Sequence, residues 1–178
     1  MADAGLTVIA RAAGLACAVS LLVAPVRRAE AAAPPSVAYW DNWTDAAGLS
    51  HLTRCLLRRF SLRSASGPAT PEWEDRQAAP TGTVLVHVEQ PGWNGGWHEN
   101  PKVQWIMPLA GSWLVQAMDG SQVTIRPGDV MAGEDQNSRP DAAGHAGHLS
   151  RNVGTVPVVL MIVQMAELPR SNRPCRFD

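Results

Sequence analysis

The chain is short of the features that announce most functions. No run of Lys or Arg and no basic face occurs in its 178 residues, and the net charge is −1, so a nucleic-acid partner is not expected. It has no phosphate-binding glycine loop, no dinucleotide fingerprint and no Ser-His-Asp spacing, which sets aside the nucleotide-dependent and serine-nucleophile chemistries. Past residue 33 nothing repeats at the helical period, which argues against helical and α/β domains. Cysteine is limited to three residues. Aromatic residues other than tryptophan are scarce: one Tyr and two Phe stand against seven Trp. The apolar share of 46% is nonetheless ordinary for a globular chain and supports a sizeable core.

Residues 1–33 stand apart. Arg11 precedes an apolar run from Ala12 to Val26, the length of a signal-peptide h-region and short for a bilayer span. Two small-residue cleavage patterns follow, Ala29-Glu30-Ala31 and Ala31-Ala32-Ala33. The segment is expected to be a secretory signal peptide. The remainder is then exported, periplasmic or extracellular, with no stable membrane anchoring after cleavage. Asp3 before the run and Arg27-Arg28 after it oppose the usual charge bias and leave an uncleaved anchor as the rival. Cys17 lacks the leucine three residues earlier that a lipoprotein signal carries, so lipidation is not expected. An oxidising compartment would let the two remaining cysteines, Cys55 and Cys175, pair; a bridge and two separate thiols both stay open.

Past the leader, the pattern is of short strands and turns. Pro34 to Gly48 reads as a lead-in arm whose Tyr39, Trp40 and Trp43 dock onto the main domain or onto a second subunit, hence an expected homodimer. His51 to Leu62 reads as one strand with Cys55, Leu57, Phe60 and Leu62 inward. Ser64 to Pro80 reads as a loop with Trp73 packed down as a plug. Thr83 to Glu89 is a strand of β-branched residues in which His87 faces away from Val86 and Val88. Val103–Leu109 and Ser112–Met118 follow, joined at Ala110-Gly111. Asp119-Gly120 then reads as a two-residue hairpin that pairs Met118 with Ser121, Gln116 with Val123 and Leu114 with Ile125. Arg126 to Asp129 is a turn, and strands are expected at Val130–Glu134, His148–Asn152 and Pro157–Met165. This predicts an all-β sandwich or barrel. Its segments are a signal peptide (1–33), an N-terminal arm and first strand (34–80), a barrel (81–168) and a C-terminal tail (169–178).

Two histidine segments carry a resemblance. Gly92 is followed by five residues, His98-Glu99-Asn100, three residues, Gln104, six residues and Gly111. This spacing resembles the first motif of the cupin superfamily, with Asn100 in place of its second His and Gln104 in place of its Glu. His148-Leu149-Ser150-Arg151-Asn152 is similar to the end of the second motif, and the RPGDV turn lies between the two. The WHENPKVQWIMPLAG and GEDQ segments look like those of small, exported, single-domain cupins of unassigned function. The resemblance implies a jelly-roll β-barrel of cupin type as a single domain. It also implies a metal site at His98, Asn100, Gln104 and His148 that would hold Mn, Fe, Ni or Zn.

Asn and Gln ligate only through a neutral carbonyl, so such a site lacks one imidazole and one negative charge. Glu99, Glu134 or His145 are the residues expected to make this up. Trp97, His87, Ile106 and Glu134 are the expected pocket residues, with Trp97 beside His98 at the mouth. If Gln104 points inward, so do Ile106 and Pro108, and Trp105 points out. The expected function is a small-molecule-binding cupin with a divalent metal and oxygenase- or isomerase-type activity. The alternative is a metal-free, non-catalytic cupin that binds a sugar or organic acid.

Overall fold

The computed structural model describes residues 33–64, 71–76 and 82–178. The expected signal peptide lies outside the described residues, as do most of the residues in the expected 64–80 loop. The described residues hold twelve strands and no helix: β1 Val37–Thr44, β2 Ser50–Leu57, β3 Ser61–Arg63, β4 Glu72–Glu74, β5 Thr83–Glu89, β6 Asn94–His98, β7 Gln104–Ala110, β8 Trp113–Ala117, β9 Gln122–Ile125, β10 Met131–Glu134, β11 His148–Asn152 and β12 Val158–Gln164.

A six-stranded sheet runs in the order β2-β1-β10-β7-β12-β5, and a four-stranded sheet in the order β6-β11-β8-β9; β3 and β4 form a separate ribbon. The larger sheet is mixed because β1 lies parallel to β10, while the other pairings are antiparallel. Alternation along the strands builds the core between the two sheets. Ile106, Met131, Val158, Leu160 and Ile162 come from one sheet and Trp113, Val115 and Ile125 from the other.

The closed barrel is not formed: among the described residues no ladder joins the two sheets, and β5 and β6 are left as open edges. The cause is local. Gln90 to Trp93 form a tight turn, with Trp93 N–H bonded to Gln90 O at 3.0 Å and Gly92 at φ +83°. That turn carries the chain from one sheet into the other instead of folding a hairpin.

Several local expectations are corrected. The Tyr39–Trp43 segment is not a docking arm but part of β1, an interior strand of the large sheet, with Tyr39 buried. The expected long strand ends at Leu57; Leu62 is exposed and pairs in the ribbon with Trp73, which is therefore not a plug. The β8–β9 hairpin is shifted by one residue: Val115 pairs with Val123 and Trp113 with Ile125. The reason is Gly120. At φ +86° it closes a turn from Ala117, whose N–H bonds Ser121 O at 2.8 Å, so the loop spans three residues rather than two. One face of the hairpin is then Trp113, Val115, Val123 and Ile125, which is the core face.

The C-terminal tail covers a second cluster on the outside of the large sheet, where Phe177 packs with Tyr39 and Trp105. It is held by polar groups as well. Cys175 N–H donates to Asp41 Oδ2 at 2.6 Å, and Arg176 Nε lies 2.9 Å from Glu134 Oε2. The bridge left open by the sequence is present: Cys55 and Cys175 form a disulfide across 120 residues, with Cα atoms 5.4 Å apart. Closing so long a loop restricts the unfolded chain. Replacing both cysteines by Ala is therefore expected to remove roughly 2–5 kcal/mol of stability. Urea unfolding of the parent with and without reductant, beside the double variant, measures this; coincident curves for all samples would deny the bridge any stabilising role.

Candidate small-molecule site

At one end of the sandwich, between the open edges β5 and β6, lies a cavity of about 240 Å³. Antiparallel pairing of β6 with β11 places His98 directly opposite His148, and their ring centres are 4.5 Å apart. Gly147 makes the approach possible. A Cβ there would lie 2.2 Å from the His98 carbonyl oxygen, and the residue also sits at φ +76°, so only glycine admits β11 this close to β6.

His148 is buried, and its Nδ1 lies 2.7 Å from Asp135 Oδ2. Asp135, just past β10, is fully buried and accepts four hydrogen bonds. The others come from Asn42 Nδ2 at 3.0 Å, Asn100 N at 2.8 Å and Asn100 Nδ2 at 2.6 Å. Burial alone would raise its pKa. The neighbouring imidazole, and the hydrogen bonds from His148 and Asn100, outweigh that and hold the carboxyl below its ordinary range.

A carboxylate only accepts, so its charge orients every group around it. Nδ1 of His148 must carry a proton toward Asp135, so in the neutral ring Nε2 is the lone-pair atom. Asn100 must turn its NH₂ to Asp135, so its Oδ1 accepts from Gln104 Nε2 at 2.7 Å; Gln104 Oε1 in turn accepts from Gln164 Nε2 at 3.1 Å. Gly133 leaves room for this, since a Cβ there would fall 2.6 Å from the Asn100 carboxamide. His98 is anchored in the same sense: its Nδ1 bonds Gly96 O at 3.1 Å, again leaving Nε2 free. Partial desolvation, and then His148, hold the His98 pKa below the ordinary imidazole range.

The expected site residues divide. His98, Asn100, Gln104, His148, Ile106 and His87 all line the cavity. Trp97 does not: it lies on the other face of β6, stacked on His145 at 4.6 Å. His145 is itself tied to Asp141 at 3.0 Å, so it does not reach the cavity either. Glu134 points to the opposite side of the large sheet, where it meets Arg176 and the Arg170 backbone N–H. Glu99 bonds the backbone of Ser138 at 2.7 Å.

Two acids were missed. Asp135 follows Glu134 and lies on the inward side by alternation from Met131. Glu89 shares a face with His87 by the same alternation that sets His87 opposite Val86 and Val88; it too lines the cavity and is buried. Leu160 and Ile162 supply the apolar wall.

The residues fit a tightly held divalent ion poorly. Among the described residues no three His, Cys, Asp or Glu side chains are grouped to hold a metal. The carbonyl oxygens of Asn100 and Gln104, the atoms by which an amide ligates, already accept hydrogen bonds inside the protein. Two imidazoles remain, without an anionic donor.

No family model and no curated protein matches the chain. Among solved structures it is similar to protein NMB1881 from Neisseria meningitidis, at 16% identity and a TM-score of 0.32, over 51% of this chain and 88% of that one. A likeness of that size carries no argument about function.

The donor set generates a gain-of-function prediction. Gln104→Glu supplies the missing charge and is expected to tighten Ni or Zn binding at least about tenfold over the parent, which should bind weakly. Isothermal titration reads both. Equal affinities would mean that position 104 does not face the imidazole pair.

Proposed function

We propose that this chain is a small-molecule-binding domain of cupin-like jelly-roll type, whose cavity carries a metal-independent acid–base centre built on His148 and Asp135. The observation that supports it is the buried 2.7 Å hydrogen bond between them. The carboxylate keeps a proton on Nδ1, so Nε2 is the basic atom of a ring that lines the cavity. When Nε2 takes a proton, the positive ring stays beside a negative group that is already in place, with no rearrangement needed. His98, held neutral by its surroundings and anchored through Nδ1, offers a second lone pair. That suits it to accept a hydrogen bond from a substrate hydroxyl and fix the substrate against His148. Proton abstraction and return, as in an isomerisation or epimerisation, is the reaction class these groups support. A cavity of about 240 Å³ limits the substrate to a small molecule.

A second reading places a divalent ion on the two Nε2 atoms. It is favoured by the anchoring of both rings through Nδ1, the arrangement that orients histidine ligands.

Solvent deuterium uptake tests the first reading. A panel of small ketones, aldehydes and sugars is incubated with the full chain in D₂O and followed by proton NMR. The parent should label at least one compound at carbon next to a carbonyl. His148→Gln and Asp135→Asn should slow that labelling by about 10²-fold or more. Labelling that survives both substitutions, or that requires added metal, would sink the metal-independent reading.

A further inference from the structure

Glu89 is the buried group for which neither the fold nor the acid–base centre has a use. It is 6% exposed and lines the cavity, and its Oε2 is sealed from solvent with no hydrogen-bond partner. No hydrogen bond from a described residue reaches its other oxygen. A buried carboxyl without partners is costly in a folded protein, which selects against it unless something else satisfies it. The surroundings are apolar: Leu160, Ile162 and Trp113 share the wall. Burial, with no charged neighbour acting on it, raises its pKa to about 7. Below about pH 7 the neutral carboxylic acid therefore predominates, able to donate one hydrogen bond and accept others. The histidine pair and Glu89 line one small cavity with an apolar wall.

We propose that Glu89 is the ligand-recognising acid of this cavity and that it selects small uncharged molecules bearing a carbonyl or hydroxyl oxygen, excluding carboxylates. The assignment rests on the cavity being the ligand site, as proposed above. A ligand oxygen would take the carboxyl proton as a hydrogen bond. A ligand carboxylate would instead lose its hydration against the apolar wall, or meet an ionised Glu89.

The test uses cyclohexanone and cyclohexanecarboxylate as probes on the full chain at about pH 6, followed by amide and indole NMR shifts. Cyclohexanone should shift the Trp113 indole N–H and the cavity amides, with an affinity at least tenfold above that of the carboxylate. Glu89→Leu should weaken the ketone at least tenfold, while Glu89→Gln, which can still donate, should hold it within threefold. Unchanged amide signals away from the cavity certify the fold of each variant. Equal binding of the two probes, ketone binding untouched by Glu89→Leu, or no shift with either probe at tens of millimolar would each overturn the assignment. The two readings fail separately: a parent that takes up no deuterium while its cyclohexanone binding still depends on Glu89 would sink the acid–base centre and leave this assignment standing.

Discussion

A buried carboxylate held ionised from several sides is the constraint that organises this protein. The His148 imidazole and the hydrogen bonds that Asp135 accepts from β1, from the segment after β6 and from β11 keep it so. Each donor is fixed by that charge, and the orientation passes outward through Asn100 to Gln104 and Gln164. The polar end of the sandwich is thus a single connected network. A network of this kind favours one geometry strongly, because any half-made version strands a buried polar group. The aliphatic core between the sheets supplies burial; the network decides where the strands stop and which way the imidazoles face.

The resemblance to metal-binding cupins and the chemistry of these residues point in different directions at two positions. Where such a site would have a second imidazole and a carboxylate, this chain has two amides. Amides at those places do more than weaken a metal site. They can donate, which neither a ligating carboxylate nor a ligating imidazole can do through the atom that binds the metal. Asn100 uses that ability through its side chain, and its backbone N–H adds a second bond to the charge beside His148.

Much of the fold was legible because alternation and turn residues act locally. The strand at Thr83–Glu89 and the shared face of Gln104 and Ile106 follow from period-two patterning alone. The pairing of His98 with His148 was reachable only through the motif spacing, since residues 50 apart in sequence carry no local record of their contact. Other features depended on long-range geometry. β1 was read as an arm because nothing in VAYWDNWT says that β10 will lie parallel to it. Glu134 and Asp135 look alike as adjacent acids until the strand's facing is fixed from Met131. The barrel failed to close at a four-residue turn whose direction is not written in its composition. The cysteine pairing, too, is decided by where the tail lands.

Strand β1 is read from both of its sides. Asn42 turns inward and donates to the carboxylate behind His148; its neighbour Asp41 turns outward and receives the backbone N–H of Cys175. The covalent staple at the chain's end and the imidazole in the cavity are thus two clients of one strand, one residue apart. The tail and the ring share a foundation, and a substitution that displaces this strand is felt on both sides of the sheet.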